Sequence, residues 1–236
     1  MRLAVIVLLI LAGAVAATLV PGASQALFVS RQQPWGIVTC AFSHISAEHL
    51  AVDAVVLVLL TVLIYGLCLM YSPCVVPRLK SACAVAIVAA WLGSGAVTYV
   101  AIVSGVMGPS ELVVSGGLSG IVYGLMACAC CMGVLSVRPL VYSVRRSKDA
   151  GLWCVSAPMV MGSAVAVAMA LLILALVLTS PVAVFGIGSS EVNWYGHVAG
   201  FSLAAVAFAA YTRSFGGELQ RSTFVGELED LVAQTA

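Results

Sequence analysis

The sequence predicts an all-α membrane protein, on the strength of its composition, its long apolar runs and the placement of its basic residues. Hydrophobic residues make up 63% of the 236 positions and charged residues only 8%, whereas roughly a quarter of a soluble domain is charged. Several apolar runs reach the roughly 20 residues that a helix needs to cross a bilayer. A soluble globular fold is therefore excluded. Six spans are predicted, at residues 3–20, 44–69, 82–103, 117–137, 157–180 and 192–212.

Basic residues outside the spans indicate the orientation. With the N-terminus in the cytoplasm, nine basic residues fall on the cytoplasmic side and only Arg31 falls outside, as the positive-inside rule describes. We expect both termini in the cytoplasm of a prokaryotic cell, with the protein in its plasma membrane. The membrane domain would cover 1–212 and an acidic cytoplasmic tail 213–236, with a basic cytoplasmic loop at 138–150. The nine residues are Arg2, Arg78, Lys80, Arg138, Arg145, Arg146, Lys148, Arg213 and Arg221.

The first span has a second interpretation, as a cleaved signal peptide. Its apolar run ends near Ala23-Ser24-Gln25-Ala26, small residues that resemble a cleavage site. The run is long for a signal peptide, and its retention gives the even number of spans that the charges require. We therefore expect it to remain as the first span.

Cysteine usage indicates packing rather than disulfides or metal binding. Most of the eight cysteines lie inside predicted spans. Cys128 and Cys131 have CxxC spacing but stand in an apolar helix, so we interpret them as buried thiols. No metal site, cofactor or nucleic-acid partner is predicted.

The stretch 115–126, SGGLSGIVYGLM, is the first candidate for chemistry. Ser119 stands where an irregular segment gives way to an apolar helix. A helix start has unpaired N–H groups and the positive end of the dipole, both of which favour a developing oxyanion. Gly116, Gly117 and Gly120 allow a sharp turn and close helix contact. The alternative interpretation is a small-residue packing motif with an incidental serine.

Two irregular segments flank the predicted spans on the outer side. An outer loop at 21–43 carries Trp35, which suits the membrane interface. Gly105, Gly108 and Pro109 make residues 104–116 too broken for a helix. We expect this re-entrant-like segment to dip into the membrane and to deliver Ser119 below the surface. Irregular backbone at that depth is tolerated only where protein covers it or water reaches it, and we expect a water-accessible cavity.

Histidines at the start of the second span are the second candidate. His49 and Asp53 are four residues apart and share a helix face; intramembrane ionisable residues are functional candidates by default. A self-satisfied polar pair is the alternative. For His44, at the outer end of the same span, we favour a structural hydrogen bond to the loop backbone.

A third histidine opens the last span. His197, Gly200 and Ala204 fall on one helix face. The two small residues would let this helix press against Gly120 and Gly124 of the fourth span. That contact would bring His197 toward Ser119, at matching depth.

In combination these stretches resemble the rhomboid family of intramembrane serine proteases, over roughly residues 35–212. The resemblance implies a six-helix rhomboid-like bundle. The matching residues are Gly117-Leu118-Ser119-Gly120 for GxSG, Tyr123 after it, His197 with Gly200, His44 and His49 at the second span, and Trp35 in the outer loop.

The resemblance also implies roles for the matching residues. Ser119 would be the nucleophile and His197 the general base of a Ser-His dyad. Tyr123 would hold the His197 ring. His49, residue 53 and the Ser119 N–H would form the oxyanion hole. Substrates would be transmembrane proteins that enter from the lipid bilayer and are cut in or near their spans.

Three departures from the family pattern keep other functions open. Asp53 stands where the family usually has asparagine, and we expect it to be a neutral acid that donates a hydrogen bond. Ala204 replaces a glycine, and Gly36 replaces a common arginine, which puts the usual anchoring of the outer loop in doubt. A catalytically silent rhomboid-like binding protein is one alternative. A transporter with a His49/Asp53 proton relay is another; it predicts an inverted repeat, and none is found.

Overall fold

A computed structural model describes residues 2–108, 115–149, 153–188, 193–221 and 223. This part of the chain is helical, apart from isolated β-bridges. Its helices are α1 (Arg2–Leu19), α2 (Ala23–Leu27), α3 (Gly36–Thr39), a 3-10 turn (Cys40–Phe42), α4 (Ala47–Cys68), α5 (Val76–Val103), α6 (Ser119–Asp149), α7 (Trp153–Thr179), α8 (Pro181–Phe185), α9 (Trp194–Arg213) and α10 (Gly216–Arg221).

Four helices within the described ranges are long and apolar enough to cross a membrane, so the protein is an integral membrane protein. They are Ala47–Cys68 in α4, Val76–Val103 in α5, Ser119–Ser147 in α6 and Ser156–Thr179 in α7. Helix α1 offers a shorter apolar stretch, Leu3–Leu19. Helix α9 has 20 residues, but histidine, serine and aromatic residues lower its hydropathy. The count of six spans stays a prediction.

Helix α6 lies at the centre of the bundle, packed against α4, α5, α7 and α9. Helix α9 also packs against α5, and α1 packs against α4 and α5. The buried face of α1 consists of Leu3, Val7, Ile10 and Ala14, a spacing of three or four residues that keeps one helical stripe on the core.

The prediction that 138–150 forms a loop is wrong for residues 138–149. Helix α6 runs through Pro139 and ends at Asp149; Ala150 lies outside the described residues. Arginine is a good helix former, and Arg145 and Arg146 near the end of α6 interact favourably with its negative dipole end. The basic segment therefore extends the helix instead of leaving it.

The outer segment 21–43, predicted as a loop, contains α2, α3 and the 3-10 turn, and its own hydrogen bonds hold it. The Trp35 indole donates to the Ala26 carbonyl at 3.0 Å, and Thr39 donates to Leu27 at 3.0 Å. A β-carbon at Gly36 would lie 2.3 Å from Val29 Cα. The close approach of this backbone therefore requires glycine at position 36.

The start of the predicted tail packs on the bundle. Glu218 of α10 pairs with Arg78 at the start of α5, and Phe215 and Leu219 are buried. Thr223 forms a bridge with Tyr71. Residues 224–236 lie outside the described part, as do 109–114 of the predicted re-entrant-like segment.

Candidate active site

The backbone before Ser119 is fixed by the outer segment. Val29 and Ser115 exchange two backbone hydrogen bonds, at 2.9 and 3.0 Å, and the Gly117 N–H donates to the Cys40 carbonyl at 2.8 Å. Gly117 has φ +135°, a conformation that side chains disfavour. The chain therefore makes its sharp turn at Gly117, while neighbours on both sides hold it in place.

His44 ties the start of α6 to the same outer segment. The His44 side chain is buried, and its Nε2 accepts a hydrogen bond from the Leu118 N–H at 3.3 Å. The Ser24 hydroxyl accepts from the His44 N–H at 2.8 Å and donates to the His44 carbonyl at 2.9 Å. These contacts fit the structural role predicted for His44.

Helix α6 begins at Ser119. The Leu118 carbonyl already accepts from Ile121 and Val122, at 2.9 and 3.0 Å. Among the described residues, the N–H groups of Ser119 and Gly120 have no hydrogen-bond acceptor. The positive end of the helix dipole and two donors therefore lie beside the Ser119 hydroxyl.

Helix α9 presses against α6 through small residues, as predicted. A β-carbon at Gly200 would lie 2.5 Å from the Gly120 carbonyl oxygen, and one at Gly124 would lie 3.5 Å from Ala204 Cβ. His197 stands almost one turn before Gly200 on α9. The contact therefore places His197 beside the first turn of α6.

Two contacts orient the His197 side chain, and a third holds its partner Tyr123. Its ring stacks on Tyr123, with centroids 4.3 Å apart and planes 29° apart. His197 Nδ1 lies 3.2 Å from the Phe185 carbonyl oxygen, and the Tyr123 hydroxyl donates to the Val184 carbonyl. A carbonyl only accepts, so Nδ1 carries the hydrogen and Nε2 keeps its lone pair.

Ser119 and His197 are both described, and no hydrogen bond joins them. Catalytic hydrogen bonds are often long in ligand-free enzymes and tighten when substrate binds. The structure therefore gives the histidine its orientation and tautomer, through Tyr123, which stands one turn after Ser119 on α6.

Asp53 lies between two histidines. Its Oδ2 is 3.6 Å from His44 Nε2 and 3.7 Å from His49 Nε2, which is too long for hydrogen bonds. This buried oxygen has no hydrogen-bond partner among the described residues. A buried polar oxygen without a hydrogen-bond partner is costly.

One small space in front of Gly117 is bordered by the predicted oxyanion residues. The position of a β-carbon on Gly117 would lie 3.3 Å from His49 Cε1, 3.7 Å from Asp53 Oδ2 and 3.8 Å from Ser119 Oγ. All four residues are candidates from the sequence, and the structure brings them together.

A polar cavity of about 20 Å³ also borders Ser119, between α5, α9 and residues 115–117, which lead into α6. Its lining includes Ser94, Thr98, Ser115 and Asn193. A space of roughly 10–15 Å³ with polar partners is enough for one water. The cavity beside Ser119 is therefore large enough for one water.

Asn193 is the residue that the sequence analysis missed. Its amide donates to Thr98 at 2.7 Å and to Ser115 at 2.9 Å, and its oxygen accepts from the Gly196 N–H at 3.1 Å. It caps α9 and joins that helix to α5 and to Ser115, in the segment that leads into α6. An asparagine directly before an apolar helical run is an N-cap signal, so the sequence contained a clue.

The remaining chemistry-bearing residues do not form a site. No cluster of three or more His, Cys, Asp or Glu that could hold a metal occurs in the described part of the chain. Cys128 is buried, Cys131 is half-buried, and neither forms a disulfide.

One known protein family matches the part of the chain that contains the site. A profile of the Rhomboid domain matches residues 31–214, most of the chain. The chain belongs to the rhomboid family. Every site residue named above from Trp35 to Gly200 falls inside the rhomboid match, whereas α1 and α2 precede it. No curated protein and no solved structure matches the chain.

Proposed function

We propose that this rhomboid is an active intramembrane serine endopeptidase that cuts other proteins in or near their transmembrane segments. The observation that carries the proposal is the orientation of His197: stacked on Tyr123, one turn after Ser119, with Nδ1 bonded to Phe185 and Nε2 free to accept a proton. Membership of a family of intramembrane proteases supports the same reaction class.

In the proposed mechanism, Ser119 Oγ attacks the carbonyl carbon of the scissile peptide bond while His197 Nε2 takes the hydroxyl proton. The resulting tetrahedral intermediate collapses as the C–N bond breaks, and His197 gives the proton to the leaving amine. Water then attacks the acyl-Ser119 ester, again with His197 as the base, and releases the acid and the free serine. The cavity beside Ser119 would supply this water.

The oxyanion of that intermediate would form at the start of α6. The unpaired Ser119 and Gly120 N–H groups are backbone donors there, and His49 and Asp53 border the space in front of Gly117. Loss of one such donor typically lowers the rate by about 10²–10³. Asp53 would contribute as a neutral donor, because its unpaired oxygen is buried between two histidines.

The proposed topology has six spans, both termini in the cytoplasm and the site toward the outer side, in the plasma membrane of a prokaryotic cell. The basic ends of α6 and α9 lie away from Ser119, since both helices begin at the site and end in or near basic residues. Transmembrane substrates would reach the site laterally, from the lipid bilayer.

Labelling of the detergent-purified protein with a fluorophosphonate tests the dyad. The wild type should label, and Ser119→Ala and His197→Ala should abolish labelling. Ser202→Ala is the matched control, because Ser202 is an exposed serine of α9 outside the site, and it should label normally.

A specific observation keeps a silent, substrate-binding rhomboid as the second candidate. Asp53 stands at the oxyanion position, and Ser119 and His197 are not hydrogen-bonded. Absence of labelling in folded wild-type protein would overturn the protease proposal and favour this alternative.

A further inference from the structure

A second cavity, unrelated to the site, opens between α6, α7 and α9. Its volume is about 620 Å³, within the roughly 300–1,000 Å³ of ligand pockets. It forms because α7 packs mainly against α6 and α4, and α9 against α5 and α6, so that α7 and α9 flank one face of α6. The lining of this basic groove is Cys130, Cys131, Val134, Leu135, Arg138, Pro139, Leu174, Phe201, Ala205, Phe208, Ala209, Thr212, Arg213, Gly216 and Leu219.

The groove is apolar along its length and basic at one end. Arg138 of α6 and Arg213 of α9 line it and are exposed. They lie at the same end, because α6 and α9 both begin at the site and run in the same direction. Thr212, an uncharged polar lining residue, already donates its hydroxyl to the Phe208 carbonyl at 2.9 Å. The rest of the groove therefore favours a hydrocarbon chain and its basic end an anion.

The dimensions match one leaflet of a bilayer. Phe201 and Arg213 are separated by about 18 Å along α9 at 1.5 Å per residue. Half of a hydrocarbon core is about 15 Å. A phospholipid places one anionic headgroup at the interface and its chains along that depth.

We propose that the basic groove is a binding site for an anionic phospholipid, with an acyl chain between α6 and α9 and the phosphate at Arg138 and Arg213. Basic pockets between transmembrane helices are suited to anionic headgroups. The inference is independent of proteolysis, since Ser119 and His197 stand at the other ends of the same helices.

Native mass spectrometry of the full-length, delipidated protein tests the site with phosphatidylglycerol and phosphatidylcholine of identical chains. We expect preferential retention of phosphatidylglycerol. Each of Arg138→Gln and Arg213→Gln should weaken that preference roughly fivefold. Arg145→Gln is the charge control: Arg145 is exposed on α6, two turns beyond Arg138, and lies outside the groove. It should leave the preference unchanged.

A second pair of variants tests the groove itself. Ala209 and Ala210 are adjacent, exposed residues of α9, and only Ala209 lines the groove. Ala209→Trp should abolish retention of the lipid and Ala210→Trp should not. Equal retention of both lipids by the wild type would overturn the proposal. So would an equal effect of Arg145→Gln, or unchanged binding in Ala209→Trp.

Discussion

Asp53 stands where the resemblance to rhomboids leads one to expect asparagine. Its buried Oδ2 has two imidazoles within 3.7 Å and no hydrogen-bond donor. A neutral acid there can donate to an oxyanion, whereas a carboxylate would repel it.

Asp53→Asn should therefore be at least as active as the wild type, because an amide also donates. The rate of fluorophosphonate labelling checks this expectation. Asp53→Leu, which has no donor, should label about 10²–10³ more slowly. An inactive Asp53→Asn would contradict the neutral-donor role.

The Asn193 side chain caps α9 and bonds it to α5. Asn193→Ala should lower the free energy of unfolding by about 2–4 kcal/mol, from the lost cap of α9 and the unpaired hydroxyls of Thr98 and Ser115. Asn193→Ser keeps a capping oxygen and loses only the two bridges. Thermal unfolding in detergent should rank wild type, serine and alanine in that order. An equal loss of thermal stability in both variants would show that capping contributes nothing.

At the scale of elements, the contact between α6 and α9 decides where His197 lies. Gly200→Ala places a methyl group where the Gly120 carbonyl oxygen is only 2.5 Å away, and both partners are backbone. The helices must separate, at a cost of roughly 1–3 kcal/mol. Labelling of Ser119 should fall with stability, because His197 moves away together with α9.

Gly162 provides the matched control. It is also a helical glycine, on α7, but a β-carbon there meets nothing within 4 Å. Gly162→Ala should leave labelling unchanged and stability equal or higher by up to about 1 kcal/mol. If Gly200→Ala labels like Gly162→Ala, the close contact does not position the histidine.

The elements also show what the sequence can and cannot predict. Ser119 at a helix start and the contact of Gly200 with α6 follow from local residue patterns, and both are present. The short helices of segment 21–43 and the proximity of His44 to Asp53 depend on tertiary folding, which local patterns do not contain. The basic residues from Arg138 onward indicate a loop by their charge, although arginine also favours helix. Charge alone therefore does not predict the extension of α6 to Asp149.

At the scale of the whole molecule, the N-terminal residues are linked to the site. Helix α1 buries Leu3, Val7 and Ile10 in the core. Beyond it, Ser24 holds both backbone groups of His44, whose Nε2 accepts from Leu118 beside the nucleophile. Cleavage after Ala26 would remove Ser24 and α1 together, and with them this support.

We therefore expect the active protein to retain residues 1–26. Intact-mass spectrometry of the fluorophosphonate-labelled fraction checks this, since it weighs only molecules whose serine has reacted. The labelled mass should correspond to the uncleaved chain. Ser24→Ala removes the hydroxyl alone. It should slow labelling, and the mass of the labelled variant should still correspond to the uncleaved chain. A labelled species that begins at Leu27 would show that the first helix is a signal peptide and that the site forms without it.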